Sequence, residues 1–140
     1  MIVTVVKEKK MSAAHKLHFH QGKCRNLHGH TFVVQLAVTG PVQDVEETNS
    51  ESGVVCDFSR VSAFLTWLHD EKFDHKFLND TMDSCPTSER LALRIAAMAK
   101  EELEPCLPEG CHISMVRVFE EYVAPQCWAE ATFIGRGLDQ

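Results

Sequence analysis

The feature that most constrains the fold is the alternation of side chains over residues 28–39. Its even positions carry two histidines and then only apolar residues, in the order His28, His30, Phe32, Val34, Leu36, Val38. Successive side chains of a β-strand point to opposite faces of the sheet. The pattern therefore predicts a strand with one apolar face and both histidines at its N-terminal end. A one-residue shift in register would move both histidines to the other face.

Two stretches predict helices and three others predict strands. Residues 59 to about 72 place apolar side chains at the spacing of a buried helix face, with Asp57 or Ser59 as the cap. A second helix is predicted from residue 87 to 103. The other strands are predicted over residues 1 to about 9, 112–120 and about 127–134, with loops over 40–53 and 73–85. The order strand, strand, helix, helix, strand, strand predicts an α+β fold, in which an antiparallel sheet carries helices on one face.

Composition sets limits on location and partners. The chain has 140 residues, which predicts a single domain over residues 1–140. Its formal net charge of −6 argues against nucleic acid as a partner, because such binding needs a basic face. No stretch reaches the roughly 20 apolar residues that a membrane span needs. The first residues lack the pattern of a secretory signal, so we expect a cytoplasmic protein without a membrane partner.

The two histidines of the predicted strand suggest a metal site. His28 and His30 are two residues apart, so their imidazoles point to the same side of the strand and can share one ion. Zinc binds neutral imidazoles, and a catalytic zinc keeps one of its four positions open. His15, near the end of the first hairpin arm, is the best candidate for a third ligand. Cys24 precedes His28 by four residues and suggests a cysteine that acts as base or nucleophile rather than as a ligand.

These residues belong to a longer ordered set. Ser12-Ala13-Ala14-His15 and then Cys24-x-x-x-His28-Gly29-His30 resemble the active-site signature of the 6-carboxy-tetrahydropterin synthases, a branch of the 6-pyruvoyl-tetrahydropterin synthase superfamily. The resemblance continues in four later segments: Gly53-Val54-Val55-Cys56-Asp57-Phe58, Phe73-Asp74-His75-Lys76-Phe77-Leu78-Asn79, Pro86-Thr87-Ser88-Glu89 and Val118-Phe119-Glu120. Each match alone is weak evidence. Together the matches occur in order and span most of the chain, which makes the set strong evidence for the resemblance.

The resemblance implies a fold and an assembly. The fold is the tunnelling fold, or T-fold, with a four-stranded antiparallel sheet and two helices on one face. Three subunits close their sheets into a barrel, and two trimers pair, which implies a homohexamer with active sites at subunit interfaces. Asp74 and His75 are then expected to serve the metal of a neighbouring subunit.

The resemblance also implies an activity. It is that of a zinc-dependent lyase converting 7,8-dihydroneopterin triphosphate to 6-carboxy-5,6,7,8-tetrahydropterin, with release of acetaldehyde and triphosphate, in queuosine and 7-deazaguanine biosynthesis. The implied zinc ligands are His15, His28 and His30. The implied catalytic residues are Cys24, Asp74 and His75, and Glu120 is the implied anchor of the pterin ring.

Two alternatives stay open. A 6-pyruvoyl-tetrahydropterin synthase shares the fold and the zinc but eliminates triphosphate without carbon–carbon cleavage; the four-residue offset from Cys24 to His28 argues against it. A non-catalytic pterin- or zinc-binding homologue is expected to lose Cys24, His75 or Glu120, and all three are present. Glu121 stands where the family often has threonine. His18 and His20 are expected to face solvent.

Overall fold

Four antiparallel strands form one sheet in a computed structural model that describes residues 1–133. The strands are β1 (Val3–His15), β2 (His28–Gly40), β3 (His112–Glu121) and β4 (Cys127–Thr132), and they are neighbours in chain order. Three α-helices lie between β2 and β3: α1 (Phe58–Leu68), α2 (Leu78–Thr81) and α3 (Ser88–Glu102). The predicted α+β class and antiparallel sheet are confirmed.

The first strand is longer than the sequence predicted. β1 continues to His15 instead of ending near residue 9, because it pairs with β2 along its whole length, from Val3 opposite Gly40 to His15 opposite His28. The alternation of buried Met11, Ala13 and His15 with half-buried neighbours shows that this extension belongs to the sheet. At the other edge β4 ends at Thr132, and the predicted end at Ile134 lies outside the described residues.

The core lies between the even face of β2 and the helices. Phe32, Val34, Leu36 and Val38 are fully buried and belong to one apolar cluster with side chains of α1 and α3. This confirms the predicted apolar face. The opposite face is also covered in part, since Val33 and Ala37 are buried as well.

Both predicted helices form close to their predicted bounds. α1 is capped by Asp57, whose carboxylate accepts a hydrogen bond from the Ser59 amide at 2.8 Å, and its predicted apolar stripe is buried. A wide turn over His69–Phe73 continues α1 to the predicted end of the helix. The short α2 was not predicted. Within the part of the chain that the structure describes, every helix is too short or too polar to cross a bilayer.

The turn before α3 is held to that helix by Asp83. Its buried carboxylate accepts hydrogen bonds from the Arg90 guanidinium at 2.8 and 3.0 Å and from the Cys85 amide at 2.9 Å. The Arg90 hydrogen bond holds the pKa of Asp83 below its usual value; the Cys85 amide adds to this effect and burial opposes it. The turn leads directly into Pro86, whose carbonyl contacts His15, so Asp83 supports a residue of the histidine cluster.

We predict that Asp83→Asn lowers the free energy of unfolding by about 1–2 kcal/mol at neutral pH, because it removes charged hydrogen bonds from a buried position. A depressed pKa stabilises the fold above the ordinary pKa of aspartate, near ~3.9, and this contribution disappears as the pH falls through the lower folded-state value. The loss should therefore shrink at acidic pH. Urea unfolding at several pH values measures it, with exposed Asp80→Asn as the matched control. An equal loss at every pH would contradict the assignment.

Candidate metal centre

Three imidazoles meet at the ends of β1 and β2. His15 lies opposite His28 in the pairing of β1 with β2. His30 lies two residues further along β2 and points to the same face as His28. One ring nitrogen from each of the three histidines lies within 4.8 Å of the others. Their ring centroids are 4.5 to 5.1 Å apart. The structure thus brings together the three residues that the sequence proposed as metal ligands.

Backbone carbonyls set the tautomers of two of these rings. His15 Nδ1 lies 2.8 Å from the carbonyl oxygen of Pro86, and His28 Nδ1 lies 2.8 Å from that of Asn26. A carbonyl can only accept, so each Nδ1 carries the proton and each Nε2 keeps a free lone pair. Burial lowers the pKa of His15, and the adjacent His28 and His30 act in the same direction, while the Pro86 hydrogen bond opposes them. His15 is therefore neutral at neutral pH, as a metal ligand must be.

The unpaired nitrogens of the cluster fit a bound cation. Nε2 of His15 and Nε2 of His30 are buried and have no hydrogen-bond partner among the described residues. Buried polar atoms without partners are costly and rare. A divalent ion bound to three imidazoles would satisfy them and leave one position open. Imidazole ligands also accept other first-row metals, so this geometry supports a three-histidine metal site without identifying the metal.

Two further residues of β2, Phe32 and Gly29, pack closely around the cluster. The fully buried ring of Phe32 packs edge-on against His15 and His30, at centroid distances of 5.6 and 5.3 Å. A Cβ atom on Gly29 would lie 3.1 Å from the Ala13 carbonyl oxygen, so glycine permits the close approach of the strands there. The buried Phe32 ring thus covers one side of His15 and His30 with apolar surface.

Cys24 lies in the connection between the two strands that carry the histidines, outside the ligand group. It sits in a short helical turn (Lys23–Arg25) in the connection between β1 and β2 and is half-buried. Its carbonyl accepts a hydrogen bond from the Leu17 amide at 2.9 Å. The converging group of ring nitrogens does not include its thiol, which agrees with a cysteine that is not a ligand. His18 and His20 are exposed in the same connection, as expected.

Asp74 and His75 form a pair on a segment that is attached to β1. His75 Nδ1 and Asp74 Oδ2 are 2.6 Å apart, and Asp74 Oδ1 accepts the Ser12 amide at 2.8 Å. His75 has a φ of 54°, a left-handed conformation that is uncommon for a residue with a side chain. Its amide donates to the Ser12 carbonyl at 2.6 Å, which holds that backbone in place. Strained residues of this kind concentrate at functional sites.

The charge of Asp74 is stabilised by its neighbours. Partial burial raises the pKa of this carboxyl, but the hydrogen bonds from His75 and from the Ser12 amide, together with nearby His69, bring the net pKa below its ordinary value. His69 Nε2 lies 3.4 Å from Asp74 Oδ2. Asp74 is thus ionised at neutral pH and can orient and stabilise an imidazolium at His75.

His75 and the candidate metal ligand His30 border the same cavity. This cavity of about 610 Å³ is lined by Ser12, Ala13, Ala14, Gly29, His30, Thr31, His75, Lys76 and Phe77. Gly29 and Thr31 flank His30 in sequence and therefore lie on the opposite face of β2. His75 is 83% exposed. His75 and His30 thus border one open space, although among residues 1–133 no hydrogen bond or ion pair links Asp74 or His75 to the three histidines.

Glu120 borders a separate pocket at the start of α3. This pocket of about 180 Å³ is lined by Leu17, Thr87, Ser88, Glu120 and Trp128, among others. The negative charge of Glu120 is close enough to His15 to raise its pKa, against the effect of burial. The Ser88 hydroxyl is buried without a hydrogen-bond partner among the described residues. The pocket therefore offers a carboxylate to a polar ligand, with Ser88 in its wall.

The sequence assigned no role at the site to three residues of this region: His69, Ser88 and Glu121. The helical spacing assigned His69 to the end of a helix, and Ser88 stood inside a recognised motif without a role. Glu121 was noted only as a departure from the family. Its carboxylate lies 4.0 Å from His30 Nδ1. Only the pairing of β3 with its neighbours could have shown this proximity.

Comparisons with known proteins agree with the geometry. The family model described as 6-pyruvoyl tetrahydropterin synthase matches residues 4–132. The chain is 41% identical over 127 residues to the 6-carboxy-5,6,7,8-tetrahydropterin synthase of Synechocystis sp., with coverage of 86% of this chain and 96% of that protein. It is 27% identical over 142 residues to the protein of the same name from Rickettsia bellii, with coverage of 86% and 94%.

Solved structures give the same fold. The 6-pyruvoyl tetrahydropterin synthase of Caenorhabditis elegans superposes with a TM-score of 0.74, covering 96% of this chain and 97% of that chain at 23% sequence identity. This likeness confirms the predicted T-fold.

We predict that each chain binds one equivalent of a divalent first-row metal at the three histidines. With free zinc at about a hundredfold excess over Kd, linkage predicts about 2.7 kcal/mol of added stability, seen as a higher melting temperature. His28→Ala should abolish this increase, whereas exposed His18→Ala should preserve it. An equal zinc-induced increase in wild type and His28→Ala would place the metal elsewhere.

Proposed function

The chain belongs to the 6-pyruvoyl tetrahydropterin synthase family, and we propose that it is a zinc-dependent lyase that makes 6-carboxy-5,6,7,8-tetrahydropterin. The substrate is 7,8-dihydroneopterin triphosphate, and the other products are acetaldehyde and triphosphate. The observation that carries the proposal is the convergence of His15, His28 and His30, with two buried unpaired nitrogens. Cys24 lies in the connection between the two strands that carry these histidines. The 41% identical Synechocystis relative bears the name of this activity.

Cys24 is proposed as the base at the metal centre. Zinc, when bound, would polarise the side-chain oxygens of the substrate. The Cys24 thiolate takes a carbon-bound proton from that side chain. Lys23 and Arg25 flank Cys24 in sequence.

Asp74 and His75 are proposed as the second proton-transfer pair. His75 donates and accepts protons at Nε2, because its Nδ1 is held by Asp74 at 2.6 Å. The ionised carboxylate stabilises the imidazolium form that such a transfer creates. The same Asp74 bonds to the Ser12 amide, so the pair keeps a fixed position relative to β1.

Glu120 is proposed as the pterin anchor. The pterin edge presents an amino group and a ring N–H side by side, and one carboxylate can accept both hydrogen bonds. The pocket beside Glu120 also contains the unpaired Ser88 hydroxyl and the half-exposed ring of Trp128. A flat, polar heterocycle fits this combination of groups.

The proposed assembly is a homohexamer, a dimer of trimers, with active sites between subunits. Two observations support it. His75 is exposed and borders an open cavity together with His30. The edge strands also carry exposed apolar side chains, Val3 and Val6 on β1 and Trp128 on β4, and unpaired edges of this kind need covering.

The biological setting is proposed from the same relationships. Resemblance to the carboxy-forming branch supports a place in queuosine and 7-deazaguanine biosynthesis. All six cysteines are free thiols, which is typical of a reducing compartment and supports a cytoplasmic location. The family match over residues 4–132 supports a single domain as the working unit.

We predict that zinc-loaded protein, given 7,8-dihydroneopterin triphosphate without oxygen, yields a carboxy-tetrahydropterin and an equal amount of acetaldehyde, measured by mass spectrometry. A pyruvoyl product without acetaldehyde would assign the protein to the alternative, pyruvoyl-forming activity. Unreacted substrate with retained pterin binding would indicate a non-catalytic homologue.

We predict that Cys24→Ala and His75→Ala each retain zinc but lose turnover, because each removes a proton-transfer group and leaves the ligands intact. If sites lie between subunits, co-refolding the two variants in equal amounts should restore about a quarter of wild-type turnover, since half of the subunits supply each intact group. Metal analysis and turnover of the singles and the mixture measure this. Full turnover by Cys24→Ala would contradict its role as base, and no recovery in the mixture would place both groups in one subunit's site.

A further inference from the structure

Two consecutive carboxylates of β3 both lie beside the histidine cluster. In a regular strand, neighbouring side chains point to opposite faces of the sheet. The pairing of β3 with β4 is irregular at this point, because Phe119 lies opposite Trp128 and Glu121 lies opposite Cys127. Glu120 is thus an extra residue with no partner on β4. Such a β-bulge re-aims side chains and is frequent next to active sites.

The bulge gives the two carboxylates different surroundings. Glu120 borders the pocket at the start of α3, together with Thr87 and Ser88. Glu121 instead lies beside β2, where its Oε1 is 4.0 Å from Nδ1 of His30. The two residues are therefore neighbours in sequence but face different parts of the site.

His30 is the ligand that lacks a backbone partner. Nδ1 of His15 and Nδ1 of His28 each donate to a backbone carbonyl, of Pro86 and Asn26 respectively. The described residues place no hydrogen-bond acceptor on His30, and Glu121 is the charged group that reaches its Nδ1. The Nε2 atom of the same ring is buried and unpaired on the side of the cluster.

We propose that Glu121 is a positioning residue of the metal centre. Its carboxylate accepts a hydrogen bond from Nδ1–H of His30 and so directs Nε2 of His30 toward the ion. The inference rests on the proposed three-histidine site. The 4.0 Å separation is longer than a hydrogen bond. The Glu121 side chain is 62% exposed, so rotation about its own bonds can shorten the distance without disturbing the core.

The chemistry of this contact differs from that of the other two ligands. A carboxylate that accepts the second N–H of a ligating histidine fixes the ring and makes its ligating nitrogen more basic. It also adds negative charge near a dication that otherwise has only neutral ligands. Glu121 would thus control how tightly the metal is held, while Glu120 remains available to the organic ligand.

The test compares zinc affinity, measured by chelator competition, among wild type, Glu121→Ala, Glu121→Gln and Glu101→Ala. Glu101 is exposed at the far end of α3, about 20 Å along the helix from its start near the site, and controls for loss of one negative charge. We expect Glu121→Ala to weaken zinc binding about tenfold or more, Glu121→Gln to weaken it less because it keeps an acceptor oxygen, and Glu101→Ala to match wild type. The cobalt-substituted protein should show an altered visible spectrum only in the Glu121 variants.

The outcomes separate this inference from the proposed function. Tight zinc binding by wild type and equal affinity in Glu121→Ala would overturn the role of Glu121 and leave the metal centre standing. A wild-type protein without zinc affinity would overturn both. The melting temperature of the metal-free variants should match wild type, because Glu121 is exposed; the Gln variant preserves the test if the Ala variant fails to fold.

Discussion

The pairing of β1 with β2 is the constraint on which the site depends. The two strands match without a break from Val3 opposite Gly40 to His15 opposite His28. The same register places both histidines of β2 on the face that packs over Phe32. A slip of one residue would move His28 and His30 to the helix-free side and leave His15 alone. The buried side chains of the shared core, from Met11 to Val38, oppose such a slip because they would become exposed.

The groups around the histidines are attached to this hairpin by backbone contacts. The Ala14 amide donates to the Lys76 carbonyl at 3.1 Å, and the His75 amide donates to the Ser12 carbonyl at 2.6 Å. The segment that carries Asp74 and His75 therefore moves with β1. Just before α3 begins, the Pro86 carbonyl accepts a hydrogen bond from Nδ1 of His15. The start of α3, with Ser88, is thereby fixed beside the metal ligands and the Glu120 pocket.

The sequence predicted those parts of the fold that depend on local periodicity. The apolar face of β2 and the stripe of α1 follow from side-chain spacing, and both are buried in the structure. His28 and His30 could be recognised as a pair for the same reason. The sequence left Asp57 and Ser59 as alternative caps of α1, since both residue types are favoured at helix starts, and the structure shows that Asp57 is the cap.

The features that the sequence missed depend on pairing between distant segments. The extension of β1 to His15 is stabilised by β2, not by its own propensity. The bulge at Glu120 and the left-handed backbone of His75 arise from contacts with β4 and with Ser12, which lie far away in sequence. The proximity of Glu121 to His30 is a consequence of the bulge, so residue spacing alone could not reveal it.

The central claim is that three imidazoles bind the metal and that Cys24 stays free to act as a base. X-ray absorption at the zinc edge of the loaded protein tests it most directly, because zinc–nitrogen and zinc–sulfur distances differ, at about 2.0–2.1 and 2.3 Å. The account predicts three imidazole nitrogens and one further light atom, with no sulfur. A sulfur atom at about 2.3 Å would make Cys24 a ligand and would contradict the account.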